Sequence, residues 1–143
     1  MMFFENSYRI INKYNQKAKI AKQYGTEDVL YSAEVHMIEI IGSHKAITTT
    51  KLAEVLGITK GAVSQVTRKL LEKNLITKMP SKKKVNEVFI SLTDKGKVVY
   101  AYHRNMHEKM LCKIDLILSD LPEESKTAMN KILQAIEDSL DEL

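Results

Sequence analysis

The pattern of apolar positions is clearest between residues 49 and 72, where two stretches at helical spacing flank a glycine. Gly57 suits the left-handed conformation that ends a helix, and Thr59 is a natural N-cap for a following helix. Ile58 is expected to fill the corner between them. The pattern predicts two short helices joined by a tight turn, a helix-turn-helix. Its inward positions are Leu52, Ala53, Leu56, Val63, Val66 and Leu70.

Small, hydroxyl, amide and cationic side chains occupy the outward face of the second predicted helix. Such a face suits the major groove of double-stranded DNA. Helical hairpins that touch no nucleic acid are also common, so the spacing alone is weak evidence. The positions expected to contact DNA, with the lysines of the segment that follows, are Thr49, Thr59, Lys60, Gly61, Ser64, Gln65, Arg68, Lys82, Lys83 and Lys84.

Two runs rich in β-forming residues, 75–80 and 87–92, follow the second helix and predict a hairpin. Three lysines lie in the segment 81–86 between them. In isolation such a charged run is usually a solvated loop. Directly after a recognition helix, the same lysines can neutralise phosphates or reach an adjacent minor groove. Together these parts predict a winged helix-turn-helix.

Helical patterns also cover 6–24, 32–41, 95–118 and 123–140, with breaks at 25–28, Gly42 and Pro122. The expected fold is mainly α, with about six helices and a small β-hairpin wing. We expect a single domain, 1–143, that is divided into three parts. Apolar stripes at both ends of the chain predict a homodimer. The expected parts are dimerisation helices in 1–30 and 119–143, the winged helix-turn-helix in 31–93 and a long connecting helix in 94–118.

Charge is distributed unevenly along the 143 residues, whose formal net charge is +4. Nine Lys or Arg residues and only two Glu lie between Lys51 and Lys84, whereas the tail from Asp115 onward is acidic. This asymmetry favours a polyanionic partner for the middle of the chain. The single cysteine, Cys112, excludes an intrachain disulfide. Because no apolar run reaches membrane-spanning or signal-peptide length, we expect a cytoplasmic protein with no membrane partner.

The chain resembles the MarR family of transcriptional regulators over nearly its whole length. The resemblance is carried by LYSAEVHMIEIIG, by TTTKLAEVLGITKGAVSQVTRKLLEKNLI and by VFISLTDKGKVV. It implies a dimer formed through the first, fifth and sixth helices, and commonly a repressor released by small ligands, metals or oxidation. Two positions depart from the family pattern. Lys84, Val85 and Asn86 stand where the wing usually carries Asp-x-Arg or Asp-Arg-Arg, and Asn74 stands where Gly usually follows the recognition helix.

His103 and His107 are four residues apart on a predicted helix, a spacing that suits two ligands of one metal ion. By resemblance, zinc-sensing members of the family have a histidine like His36 on the second helix and a similar pair on the fifth. The fatty-acid synthesis regulators of the family, the FabT group, share these segments and respond to acyl chains on acyl carrier protein. Zinc, an acyl or other small-molecule effector, and a silent polar helix seam therefore all remain open. Candidates for a fourth zinc ligand are Glu27, Asp28, Glu34 and Glu108.

Two non-regulatory functions are weaker alternatives. A small metal-dependent enzyme would need an open coordination position, a general base and a substrate cleft. The sequence has no Gly-rich phosphate loop and no nucleophile–base pair in a known context. A helical dimerisation module without a DNA role would not need the basic wing. The sequence therefore predicts a regulator rather than an enzyme: a repressor that binds a pseudo-palindromic operator as a homodimer.

Overall fold

Six helices and five short strands make up the computed structural model, which describes residues 2–141. Residue 1 and residues 142–143 of the expected C-terminal dimerisation segment lie outside this range. The mainly α winged-helix fold class is confirmed. The helices are α1 Met2–Ala18, α2 Ser32–His44, α3 Thr49–Leu56, α4 Lys60–Glu72, α5 Asp94–Ser119 and α6 Glu123–Asp141. The strands are β1 Lys22–Gln23, β2 Val29–Leu30, β3 Ile47–Thr48, β4 Ile76–Pro80 and β5 Val88–Leu92.

The wing hairpin belongs to a three-stranded antiparallel sheet in the order β3-β5-β4. Ile76 pairs with Leu92 at the base of the hairpin, and Pro80 pairs with Val88 near its tip. The short β3 pairs on the other side, with Ile47 opposite Ile90. The sequence did not predict β3. Because β3 leads directly into α3, this pairing attaches the wing to the start of the helix-turn-helix.

One compact unit extends to Asn105 and contains the main core. Its largest fully buried side chains come from α2, the helix-turn-helix, the sheet and the first half of α5, so these elements form one packed body. The inward positions predicted for α3 and α4 are buried or half-buried. The fully buried core side chains include Leu30, Ile38, Ile41, Leu52, Val63, Leu70, Leu75, Ile90 and Val99.

A second compact unit begins at Met106 and contains the rest of α5 together with α6. Both of its helices expose large apolar side chains, among them Ile117 at 66% and Leu133 at 62%. In the first unit, α1 is similar, because none of its described residues is buried. None of the described helices is both long and apolar enough to cross a membrane.

The predicted first helix, 6–24, is wrong at both ends. The helix begins at Met2 and stops at Ala18, and Lys22–Gln23 form β1, which pairs with β2. The turn between these strands contains Gly25 in the left-handed region, with φ at 77°. Helical periodicity continued through Ala21 in the sequence, but a tertiary strand pairing ends the helix earlier.

The second helix was predicted to end at Gly42, which would put His44 in a loop. Instead, α2 continues to His44, whose Nδ1 lies 2.9 Å from the carbonyl oxygen of Ile40. Gly42 has a packing role, because a Cβ atom there would collide with the ring of Tyr100. This glycine therefore permits close contact between α2 and α5 rather than ending the helix.

Candidate nucleic-acid interface

Local capping fixes both ends of the turn between α3 and α4. The Thr48 hydroxyl accepts the Lys51 N–H at 3.2 Å, which caps the start of α3. Gly57 ends α3 in the left-handed conformation, with φ at 63°. The Thr59 hydroxyl then accepts the Ala62 N–H at 3.1 Å and starts α4, as the sequence predicted. Ile58 is 40% exposed, so it does not fill the corner as the sequence predicted.

The expected outward face of α4 is exposed. Val63, Thr67 and Leu70 anchor the helix in the core. The burial of Thr67 was not predicted; its hydroxyl donates to the Ser64 carbonyl at 3.2 Å, so its polar atom is satisfied. Thr49, at the start of α3, is half-buried. The α4 residues left exposed, with the capping threonine, are Thr59, Lys60, Gly61, Ser64, Gln65 and Arg68.

A Schellman turn after α4 directs the chain into the wing. Asn74 takes the left-handed conformation, with φ at 56°. Its N–H donates to the Leu71 carbonyl, and the Leu75 N–H donates to the Leu70 carbonyl, each at 2.9 Å. Asn therefore adopts the conformation for which the family usually has Gly at this position.

Thr93 joins this turn to the start of α5. Its hydroxyl donates to the Asn74 carbonyl at 2.7 Å and accepts the Gly96 N–H at 3.0 Å. Gly96 packs directly on the backbone of Leu75, where a Cβ atom would collide with the carbonyl oxygen. The threonine and the glycine of the Leu-Thr-Asp-Lys-Gly segment thus hold the end of the recognition helix against the start of α5.

Three lysines occupy the tip of the wing, and all three are exposed. The Ser81 hydroxyl accepts the N–H groups of Lys83 at 3.2 Å and Lys84 at 3.3 Å, so the tip has a defined turn. Val85, the middle one of the three wing positions that depart from the family pattern, is 93% exposed. A cleft of about 230 Å³ separates the tip from the start of α3, lined by residues 48–50 and 84–88. The wing can therefore present ammonium groups to a polyanion beside α4.

The three histidines singled out from the sequence lie together. His36 is on α2, and His103 and His107 are one turn apart on α5, a continuous helix. One ring nitrogen from each lies within 4.8 Å of the others. The rings of His36 and His103 meet edge to face, with centroids 5.7 Å apart. The structure therefore brings together the residues that the sequence proposed as an effector or metal site.

The side chains around the histidines were not predicted. Tyr14 from α1 stacks on His36, and its hydroxyl lies 3.4 Å from Nδ1 of that ring. Glu39, one turn beyond His36 on α2, places Oε2 3.4 Å from Nδ1 of His103. Tyr24 packs on His103 from the β1–β2 turn, and burial, with a smaller effect of Tyr102, raises the pKa of its phenol. The three-residue spacing from His36 to Glu39 was the available signal for the carboxylate.

None of the four carboxylates suggested as a fourth ligand belongs to the histidine cluster formed by the described residues. Glu34 is buried and pairs instead with Lys73 at 2.6 Å. Glu27 and Asp28 both pair with Lys95. In this structure, lysines that are distant in sequence bind these three carboxylates. Glu108 follows His107 on α5 and does not join the cluster.

A capped two-helix turn, an exposed polar helix face and an adjoining basic wing define a winged helix-turn-helix DNA-binding protein. Residues 30–83, which contain these parts up to the wing tip, match the model of the MarR family. By that match, the helix-turn-helix and wing of this chain are similar to those of MarR-family transcriptional regulators. Over 149 residues it is 24% identical to the HTH-type transcriptional regulator PchR of Bacillus subtilis (strain 168), covering 98% of this chain and 88% of PchR. The uncharacterized HTH-type transcriptional regulator YvnA of the same organism is 38% identical over 78 residues, which span 53% of this chain and 48% of YvnA.

Solved structures share the fold. The zinc-responsive MarR family member ZitR of Lactococcus lactis superposes with a TM-score of 0.72, at 23% identity and with 97% of this chain and 96% of ZitR covered. FabT of Streptococcus pneumoniae, in complex with DNA, gives 0.70 at 24% identity, with 99% and 97% covered. Because the matching family and the curated relatives are transcriptional regulators, the chain is a DNA-binding regulator and not an enzyme.

Proposed function

We propose that this protein is a cytoplasmic, sequence-specific repressor that binds a pseudo-palindromic operator as a homodimer. The observation that carries the proposal is the exposed face of α4 beside a three-lysine wing. Gln65 and Arg68 have the amide and guanidinium groups that pair with adenine and guanine edges in the major groove. Lys83 and its neighbours supply point charges for the phosphates.

Uncovered apolar side chains support the dimer. Tyr8 on α1 is 67% exposed, and Leu133 on α6 is 62% exposed. Such stripes at the two ends of the chain fit the proposed dimerisation segments, 1–30 and 119–143, which a second copy would cover. A two-fold dimer presents two copies of α4, and about 34 Å between them matches one turn of DNA.

Fluorescence anisotropy with a duplex from the protein's own promoter tests this proposal against a scrambled duplex of equal length. The wild type is expected to prefer the promoter duplex, and Gln65→Ala is expected to lose part of that preference. Lys97→Ala, an exposed change on α5, is the matched control. Sedimentation of the same sample measures whether the protein is a monomer or a dimer. Equal affinity for both duplexes, or a monomer that binds DNA as well, would contradict the proposal.

A divalent metal is the effector that the histidine cluster favours over an acyl chain or another organic ligand. Three imidazole nitrogens in one place are a donor set typical of zinc. Tetrahedral zinc holds two nitrogen ligands about 3.3 Å apart, so the nitrogens, within 4.8 Å of each other, need only small side-chain shifts to bind one ion. His36, His103 and His107 would hold the ion, which would link α2 to α5.

Elemental analysis of protein purified without a histidine tag or chelator tests the metal proposal. About one zinc ion per protomer is expected, and His36→Ala or His103→Ala should abolish its retention. His44→Ala is the matched control, since His44 lies outside the cluster at the end of α2. EDTA should change operator affinity in the wild type but not in His103→Ala. If the protein is metal-free and neither zinc nor EDTA changes its operator affinity, the effector is organic or the histidines form a silent polar helix seam.

A further inference from the structure

Lys73 differs from the exposed basic residues near the recognition helix because its side chain is only 29% exposed and protein groups bind its ammonium. It is the residue that follows α4. Its Nζ pairs with Oε1 of Glu34 at 2.6 Å and donates to the Val29 carbonyl at 3.0 Å. Glu34 is only 3% exposed, and its other oxygen accepts the Tyr31 N–H at 2.9 Å at the start of α2. This ammonium is therefore committed to α2 and β2 and is not available to a phosphate.

The backbone of the same residue is held from the other side. Nζ of Lys95, in the first turn of α5, donates to the Lys73 carbonyl at 3.2 Å. That ammonium also pairs with Asp28 at 2.7 Å and Glu27 at 3.4 Å. Lys73 thus contacts α2 through its ammonium group and α5 through its backbone carbonyl. Two lysines and three carboxylates fix the C-terminal end of the recognition helix.

We propose that Lys73 and Lys95 are positioning residues for DNA readout, which set the angle at which α4 presents its outward face. The proposal rests on the sequence-specific binding proposed above. A helix of 13 residues is about 20 Å long, so a 2 Å displacement at its Lys73 end tilts it by about 6°. Hydrogen bonds to base edges have a narrow range of distance and angle. Phosphate contacts from long, flexible lysines tolerate such a tilt, whereas base contacts do not.

Removing the contacts of Lys73 or Lys95 should therefore lower the affinity for the operator more than the affinity for other DNA. Lys73→Met and Lys95→Met are expected to weaken operator affinity by about tenfold, comparable to one mismatched base pair. Affinity for a scrambled duplex should change by less than about twofold, because these lysines contact no phosphate. Lys73→Arg, which keeps the charge and the donors, should restore most of the operator preference. Lys97→Met, two residues from Lys95 and in an exposed ion pair with Asp94, is the matched control.

The ratio of operator to scrambled affinity, measured by anisotropy below each variant's unfolding temperature, decides the proposal. A purely structural role would lower the folded fraction and leave that ratio unchanged, so an unchanged ratio overturns the proposal. An equal loss on both duplexes would make Lys73 a phosphate contact and also overturn it. If Lys73→Met does not fold, Lys95→Met decides, since it leaves the Lys73–Glu34 pair in place. A wild type without operator preference would instead overturn the proposed function itself.

Discussion

Replacing Lys82, Lys83 and Lys84 with Ala should flatten the salt dependence of DNA binding. All three side chains are exposed on a wing tip whose turn is fixed by Ser81, so they can reach the phosphates together. Each phosphate contact contributes about 0.9 to the slope of log affinity against log salt concentration. Three contacts give about 2.7 per wing, so from about 50 to about 200 mM salt the wild type should lose about 40-fold more affinity per wing than the variant.

Anisotropy titrations over that range of salt, on operator and scrambled duplexes, measure the slope. The variant should flatten it equally on both duplexes, because point charges on phosphates carry no sequence information. Replacing the exposed Lys97, Lys109 and Lys113 on α5 with Ala removes the same net charge elsewhere and should leave the slope nearly unchanged. If this control flattened the slope as much as the wing variant, long-range charge would explain the binding and the wing argument would be refuted.

Two further predictions concern packing and burial. Gly96→Ala should lower the free energy of unfolding by about 1–3 kcal/mol, because its Cβ would overlap the Leu75 carbonyl. Gly61→Ala on α4, where the added Cβ would only touch the Thr59 hydroxyl at 3.8 Å, should raise that free energy by up to about 1 kcal/mol in the same denaturant titration. Equal effects would contradict the packing argument. Tyr24 should deprotonate above the usual tyrosine pKa of about 10, so its contribution to stability is complete below that pH and is lost as pH rises through the raised pKa. Absorbance titration should show one tyrosine that deprotonates at higher pH than the others, and Tyr24→Phe should remove that step. If the step persisted in Tyr24→Phe, the assignment would be wrong.

The helix-turn-helix was predictable because its signals are local. Gly57 and Thr59 mark the end of one helix and the start of the next within three residues, and α3 and α4 begin and end close to the predicted bounds. The hairpin is equally local, since two β-forming runs flank a polar tip. In these segments propensity, capping and burial favour the same conformation, so one sequence suffices to predict it.

Features that depend on distant partners were not predictable. The ends of α1 and the strand pairing of Lys22–Gln23 depend on residues 29–30 and on packing around Gly25. Gly42 looked like a helix end because its partner, Tyr100, is 58 positions away in the sequence. Lys73 was one of the nine basic residues counted between Lys51 and Lys84, and nothing near it in the sequence indicated that Glu34 and Val29 bind its ammonium group. Helical spacing predicted that His103 and His107 lie together and the resemblance added His36, but neither gave any sign of Tyr14 or Tyr24 around them.

Selection of duplexes from a random pool tests the central claim most directly, namely that the outward face of α4 reads DNA. The wild type should enrich a two-fold symmetric site whose half-sites are about 10 base pairs apart. Arg68→Ala and Gln65→Ala should each relax one position in both half-sites and leave the others intact. Enrichment of no common sequence, or the same sequence with both variants as with the wild type, would contradict that claim.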